Sequence, residues 1–261
     1  MSIMSIDLNA DLGELTGDAG RASDAAILRY VTSCAIACGG HAGDRSIMEA
    51  TLIAALRHGV AAGAHPGYPD PENFGRASMT ISAEALGDTL RDQMRALQAV
   101  SEGTGVPLTH VKPHGALYND AAKSSAIAET IVEAVKFCFG TQAALVGPPG
   151  QETEKAARAA GLRFHAEGFM DRAYMPDGTL MPRSQPGAVL QDTATQLAQT
   201  RQIVLEQQVT DPQGQPIRLH VQTLCLHGDS PDAADTARVV KEDLEANGVV
   251  LSAVRSVGDC A

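Results

Sequence analysis

The sequence predicts a parallel α/β barrel built on seven strands. Two observations carry this. Short apolar runs alternate with longer helical stretches about seven times along the 261 residues, the pattern of repeated βα units. A polar side chain also stands at the C-terminal end of nearly every run: Asp11, His41, His65, His114, Glu167, His227 and Asp229. An open, doubly wound sheet concentrates its site at one crevice, whereas a barrel assembles it from the ends of all its strands. With seven strands instead of eight, the barrel is expected to be incomplete or distorted. No linker, internal repeat or low-complexity tract divides the chain, so residues 1–261 are read as a single domain.

Taken in order, the strands are expected at Ser5–Leu12, Ser33–Cys38, Val60–His65, Leu108–His114, Ala143–Gly147, Arg163–Gly168 and Thr223–Asp229. Helical windows lie between and after them at Ser23–Val31, Asp44–His58, Ser82–Glu102, Ala122–Phe137, Gln151–Ala160, Asp192–Gln207 and Asp232–Asn247. Asp44 is placed to cap one helix, and Ser230-Pro231 reads as a cap followed by proline at the first helical position. Gly59, Gly161 and Gly248 follow helix ends, where a left-handed residue stops the helix. Of the two long irregular segments, residues 170–187 and 209–222, the second reads as a hairpin around Pro212-Gln213-Gly214.

Composition narrows the function. Apolar residues make up 44% and charged residues 20%, enough for a packed core, and with 3% aromatics and no Trp that core must be aliphatic. A net charge of −11 repels phosphate backbones and anionic lipid, so neither nucleic acid nor a membrane surface is an expected partner. The N-terminal stretch lacks the basic and apolar regions of a secretory signal, and five cysteines without a C-x-x-C pair suit a reducing cytoplasm. A cytoplasmic protein handling small molecules is expected.

Several motifs carry chemistry. In Asp7-Leu8-Asn9-Ala10-Asp11-Leu12, strand alternation sets Asp7, Asn9 and Asp11 on one face. Two buried carboxylates cost several kcal/mol unless they are paired or ligating. The D-x-N-x-D opening is not a calcium loop, because Leu12 stands where such a loop needs glycine. Cys38-Gly39-Gly40-His41-Ala42-Gly43-Asp44 is a strand-to-helix turn that brings His41 to the barrel mouth. Cys34 and Cys38 read as small core residues. His65 ends a strand and is held by Pro66 and Pro69, and Arg76 follows as a candidate anion ligand.

His110-Val111-Lys112-Pro113-His114 is the strongest local signal, with three ionisable groups of one parity. The chain has only five lysines, so one inside a strand points to charge stabilisation or proton transfer. Strand geometry separates His110 from His114 by ~13 Å, so at most one of them can reach a given metal. Arg183 is a candidate carboxylate clamp, and His227 with Asp229 could form an acid–base pair on the last strand. There is no nucleotide glycine fingerprint, phosphate loop, serine elbow or H-E-x-x-H motif. The residues alone suit hydrolysis of a small, polar, anionic compound, with or without a metal ion.

These motifs, D-L-N-A-D-L-G-E, A-C-G-G-H-A-G-D, A-H-P-G-Y-P-D, H-V-K-P-H-G-A-L-Y, D-R-A-Y, P-R-S-Q-P-G-A-V and H-G-D, occur in this order between about Ser5 and Asn247. The chain thereby resembles the LamB/YcsF family, that of the A subunit of ATP-hydrolysing 5-oxoprolinase. The resemblance implies a seven-stranded barrel related to polysaccharide deacetylases. It also implies opening of 5-oxo-L-proline to L-glutamate with ATP hydrolysis, together with two further subunits. It assigns Asp11, His41, His65, Lys112, His114, His227 and Asp229 to catalysis, and Asp7, Asn9, Glu14, Asp44, Tyr118 and Arg183 to substrate binding. Two alternatives stay open. One is a metal-dependent amide hydrolase or deacetylase, holding a divalent ion such as magnesium on Asp11, His41 and His65. The other is a non-catalytic subunit that only binds substrate. Two positions depart from the family's pattern: Ala35 replaces an asparagine and Gly40 a phenylalanine beside His41, which is expected to enlarge the pocket.

Overall fold

The computed structural model of the chain describes residues 4–228 and 232–253. Along the chain the elements are β1 (Ser5–Leu12), α1 (Gly17–Ile27), β2 (Ser33–Ala37), α2 (Arg45–His58), β3 (Ala61–His65), α3 (Ala83–Thr104), β4 (Leu108–Val111), α4 (Gly115–Lys123) and α5 (Ser125–Phe139). They continue as β5 (Ala144–Gly147), α6 (Glu152–Ala159), β6 (Phe164–Phe169), α7 (Thr193–Leu205), β7 (Gln208–Thr210), β8 (Pro216–Arg218), β9 (Thr223–His227), α8 (Ala233–Ala246) and β10 (Val250–Leu251).

Seven parallel strands pair in the order β1-β2-β3-β4-β5-β6-β9, and β9 returns to β1 to close the barrel. The expected distortion is present as a register shift between β3 and β4 at Ala62 and Gly63. β7 and β8 form the antiparallel hairpin foreseen around Pro212-Gln213-Gly214. β10 extends the sheet at the foot of β1, where the Met4 and Ile6 carbonyls accept from Val250 and Ser252; higher on the same edge, Leu8 accepts from Thr32 of the β2 approach.

Strand alternation divides the core into two zones. Leu8, Ala10, Leu12, Ile36, Ala64, Val111, Leu145 and Leu224 are buried in the apolar layer shared with Leu52, Leu90, Leu97 and Ile131 of the surrounding helices. The layer is mainly aliphatic, with Tyr68, Phe164 and Tyr174 as its buried aromatics. The opposite parity, led by Asp7, Asn9 and Asp11, faces the barrel axis and is also buried.

Several element boundaries differ from the expected ones, and three of them have a clear local reason. α1 begins at Gly17, where Asp18 supplies the acidic first turn, ahead of the expected Ser23. β4 ends at Val111 instead of His114, because Pro113 cannot donate to a ladder. The His114 N–H bonds the Pro66 carbonyl, and Gly115, at φ +55°, turns the chain into α4. Finally, Ser124 caps α5 through Ile127 N, so the expected helix from Ala122 is two helices joined at that serine. Asp229, Ser230 and Pro231 lie outside the described residues, as does the cap expected there.

Candidate functional site

The axial side chains form layers. At the base, the Asp7 carboxylate accepts hydrogen bonds from the hydroxyls of Thr32 (2.6 Å), Ser33 (2.7 Å) and Thr223 (2.6 Å). One layer up, the Asn9 amide donates to Glu167 (3.0 Å) and to Thr223. The Asn9 carbonyl oxygen accepts from the Lys112 ammonium at 3.1 Å.

Lys112 is the hub of the next layer. Its Nζ lies 2.8 Å from Asp11 Oδ1, 2.8 Å from Glu167 Oε1 and 3.1 Å from Cys225 Sγ. Burial would lower its pKa, but Asp11, Cys225 and Glu167 outweigh this and hold the ammonium well above the ordinary lysine value. Burial likewise works against the Asp11 charge, and His65 and Lys112 overcome it, keeping the carboxyl well below its usual range. His110 shares this strand face but lies lower, its ring over Gly63, where a Cβ would come within 2.4 Å of it. Burial and the nearby ammonium push His110 down to about 3. His110 is therefore a neutral filler of the space left by Gly63.

Above this layer, three imidazoles surround one carboxylate. Glu14 Oε1 lies 3.0 Å from His41 Nε2, 3.1 Å from His114 Nδ1 and 3.8 Å from His65 Nε2. His65 Nε2 and His114 Nδ1 are 3.0 Å apart. The outer nitrogens are tied to main chain: His65 Nδ1 lies 2.7 Å from the Lys112 carbonyl and His114 Nε2 2.9 Å from that of Phe74. Each carbonyl only accepts, so each of these nitrogens carries its proton. The Phe74 loop can sit this close because Gly75, at φ +63°, leaves room beside the His41 Cβ, which a Cβ on residue 75 would approach to 2.8 Å. Burial lowers His41 to about 4 and also lowers His114, whereas Asp11 lifts His65 above its ordinary value against burial. Against burial, His114 and His41 hold Glu14 far below the carboxylate range. Among the described residues, the group of metal-capable side chains is Glu14, His41, His65 and His114, with ligand atoms all within 4.8 Å of one another. The trio expected from sequence is thus regrouped, because Asp11 turns one oxygen to Lys112 and holds the other 3.4 Å from His65.

A cavity of about 380 Å³ opens over this floor. Asp11, His65, Lys112, His114 and His227 line its inner end, while Arg76, Lys123, Arg172 and Arg183 line the rest with Tyr118 and Phe169. Its size is near the lower end of small-ligand sites, roughly 300–1,000 Å³. His227 Nδ1 lies 2.7 Å from Asp171 Oδ2, and the imidazole stacks on Phe169 at 5.5 Å between centroids. The carboxylate fixes the proton on Nδ1 and leaves Nε2 as the acceptor. Despite burial, His227 keeps Asp171 below its usual pKa. Arg172 donates to the carbonyls of Ala188 and Met181, and burial together with Arg183 lowers it to about 10. Burial, then the Glu167 charge, holds the Tyr118 phenol well above its usual value.

The fold gathers Asp11, His65, Lys112, His114, Tyr118, Arg183 and His227 around this cavity. Glu14 and His41 stand behind the cavity wall, and Asp7 and Asn9 lie below it. Asp44 accepts from Ile47 N at 2.9 Å as the cap of α2. Asp229 lies outside the described residues. Glu167, on the Lys112 ammonium, and Asp171, on His227, complete the set of acids at the site. Glu167 belongs to the polar strand ends read from sequence, but nothing there marks it as the second acid on Lys112. The enlargement expected from Gly40 does not occur. A Cβ at Gly40 would lie 2.3 Å from Gln93 Oε1, and that amide is committed to Gly67 on both sides. The space beside His41 is filled instead by Phe74, 5.4 Å away between ring centroids.

The sequence model of the LamB/YcsF family matches residues 6–259. The A subunit of 5-oxoprolinase from Methylococcus capsulatus is 45% identical over 96% of this chain and 96% of its own length. Its counterpart from Bordetella parapertussis is 46% identical over 95% of this chain and 98% of its own. The crystal structure of a lactam utilization protein from Thermus thermophilus superposes with a TM-score of 0.88 at 41% identity, covering 96% of this chain and 100% of that one. A T48 deacetylase solved with substrate shares the fold alone, with a TM-score of 0.51 at 10% identity over 96% of this chain and 88% of that one.

Proposed function

This chain belongs to the LamB/YcsF family, and from that premise we propose that it is the A subunit of an ATP-dependent 5-oxoprolinase. In this role it holds 5-oxo-L-proline while the lactam opens to L-glutamate. One observation carries the reading: a single small cavity has acid–base groups at its floor and arginines along its wall. That division suits a small ring bearing one carboxylate and one amide to be broken.

The reaction balances with one ATP and two waters. ATP passes its γ-phosphoryl group to the lactam oxygen and ADP leaves. One water adds to the ring carbon, the C–N bond breaks, and the nitrogen takes up a proton, leaving γ-glutamyl phosphate. A second water hydrolyses the acyl phosphate to L-glutamate and phosphate. Within this sequence, His227 Nε2 is the proton acceptor for attacking water, because Asp171 fixes its tautomer and stabilises the imidazolium. Lys112 already contacts Asp11, Glu167 and Asn9. Its part is to hold both carboxylates by its ammonium and to set a positive charge below the reacting carbonyl. Arg183 holds the substrate carboxylate. The chain shows no phosphate loop, so efficient coupling to ATP requires the two partner subunits.

Release of phosphate and glutamate decides this, measured for the chain alone and for the mixture with both partners. The chain alone is expected to give negligible 5-oxoproline-dependent ATP hydrolysis and the mixture full turnover. His227→Asn should lower kcat in the mixture by about 10²–10⁴-fold. Equal rates with and without partners would overturn the subunit reading, and full activity of the folded His227 variant would remove it as the base.

A further inference from the structure

We infer that Glu14, His65 and His114 form a three-ligand site for one divalent transition-metal ion of the zinc type, open toward the cavity, with His41 positioning Glu14. Distances provide the first support. Ligands about 2.0–2.1 Å from a tetrahedral zinc lie roughly 3.3–3.4 Å from one another. The three separations here, 3.0 Å for His65–His114, 3.1 Å for His114–Glu14 and 3.8 Å for His65–Glu14, bracket that value.

Protonation provides the second support. The Lys112 and Phe74 carbonyls hold the outer protons of His65 and His114, so His65 Nε2 and His114 Nδ1 are the ring atoms turned toward each other and toward a carboxylate oxygen. Three such atoms need positive charge among them, and one divalent ion can take the place of the protons shared between the rings and Glu14. The carbonyl partners also orient the rings as outer-shell partners do for metal-ligating histidines.

Ring orientation excludes one pair of imidazoles, and the partner of the outer nitrogen chooses between the two that remain. The His65 and His114 planes are perpendicular, so they intersect along a line on which one ion can face both lone pairs. His41 is stacked on His114, 5° apart in plane with centroids at 3.6 Å, so one ion cannot lie in both of those planes. His41 also has no partner on its buried Nδ1, the atom that an outer carbonyl would hold if Nε2 bound metal. Its Nε2–H is free to donate to Glu14. Because His65 and His114 line the cavity and Glu14 does not, the fourth position faces the cavity beside Asp11. Two imidazoles and one carboxylate favour zinc or cobalt over magnesium, which prefers oxygen ligands and water. An ion held there supplies a Lewis acid for a carbonyl oxygen. The site uses only this chain's side chains and stands independently of which amide the cavity takes.

The test is titration of the chelator-treated full chain with cobalt(II) chloride, followed by visible absorption, and with zinc chloride, followed by calorimetry. One equivalent of each is expected, with an intense tetrahedral-type cobalt band and at least about 100-fold weaker binding of magnesium chloride. His114→Ala and His65→Ala should abolish the band. His41→Ala should keep it while weakening affinity about 10–100-fold, as loss of an outer-shell partner does. His110→Ala, outside the cluster, should change neither. Absence of zinc and cobalt binding to the folded wild-type chain would overturn the site. Loss of the band in His41→Ala with retention in His114→Ala would overturn the ligand assignment. Should a variant fail to fold, X-ray absorption of the zinc-loaded wild type counts the imidazoles directly: two support the assignment, and any other number refutes it.

Discussion

Asp7 and Asp11 stand four residues apart on the same face of β1, both buried, and the barrel treats them in opposite ways. Asp7 receives three neutral hydroxyls and no cation, so burial dominates and its pKa is raised. Asp11 receives an ammonium and an imidazole, which overcome the same burial and drive its pKa far down. A buried carboxylate is therefore not one kind of group. Hydroxyls satisfy its hydrogen bonds, but only cations keep its charge at low cost.

The largest expected effect comes from removing the cation. Lys112→Met leaves Asp11 and Glu167 buried without it and should cost about 3–5 kcal/mol in urea-induced unfolding, with loss of turnover. A cost below about 1 kcal/mol would show that the ammonium is not what distinguishes Asp11 from Asp7. Asp24 supplies a third carboxylate, on α1, with an amide donor (Gly13 N–H, 2.9 Å) but no cation. Burial pushes it up to about 6 from 3.8. Since the folded pKa is the higher, the stability it contributes is full below about pH 4 and is lost as pH rises through 6. Against Asp24→Asn, wild type should lose on the order of 2–3 kcal/mol between pH 4 and pH 8. Parallel stability curves for the two proteins would refute the assignment. The smallest effect belongs to Asp7→Asn, expected to change stability at neutral pH by less than about 1 kcal/mol, because an amide can also bond three hydroxyls. If it matched Asp11→Asn in cost, the two positions would not differ as their partners indicate.

Much of the barrel was legible in the sequence, because alternation and strand-end polarity are local patterns. The same patterns placed Asp11, His65, Lys112 and His227 at the mouth. What they could not supply is pairing across the axis. Nothing near Lys112 shows that Glu167 joins Asp11 on its ammonium, and nothing near His227 selects Asp171 as its partner. Glu14 lies past the end of β1, after Gly13 at φ +73°, where strand parity no longer predicts direction; the family resemblance marked it as a substrate ligand, whereas the fold encloses it in imidazoles. Phe74 acts through its carbonyl, which no side-chain pattern reveals. At Gly40 the expectation failed because the missing side chain points at α3 and not at the cavity.

Closure of the ring by β1 and β9 has a kinetic consequence. The bond from Thr223 to Asp7 spans 216 positions of chain, so β1 waits for its second neighbour until almost everything else exists. Translation at roughly 5–20 residues per second makes that wait on the order of ten to forty seconds. During this time β1 can pair with β2 and gather helices on its apolar side, but its acidic side stays in contact with water. Nascent chains should therefore hold an open, wet half-cylinder, and the dry interior that shifts Asp11, Lys112 and His41 should form only when the last strand docks.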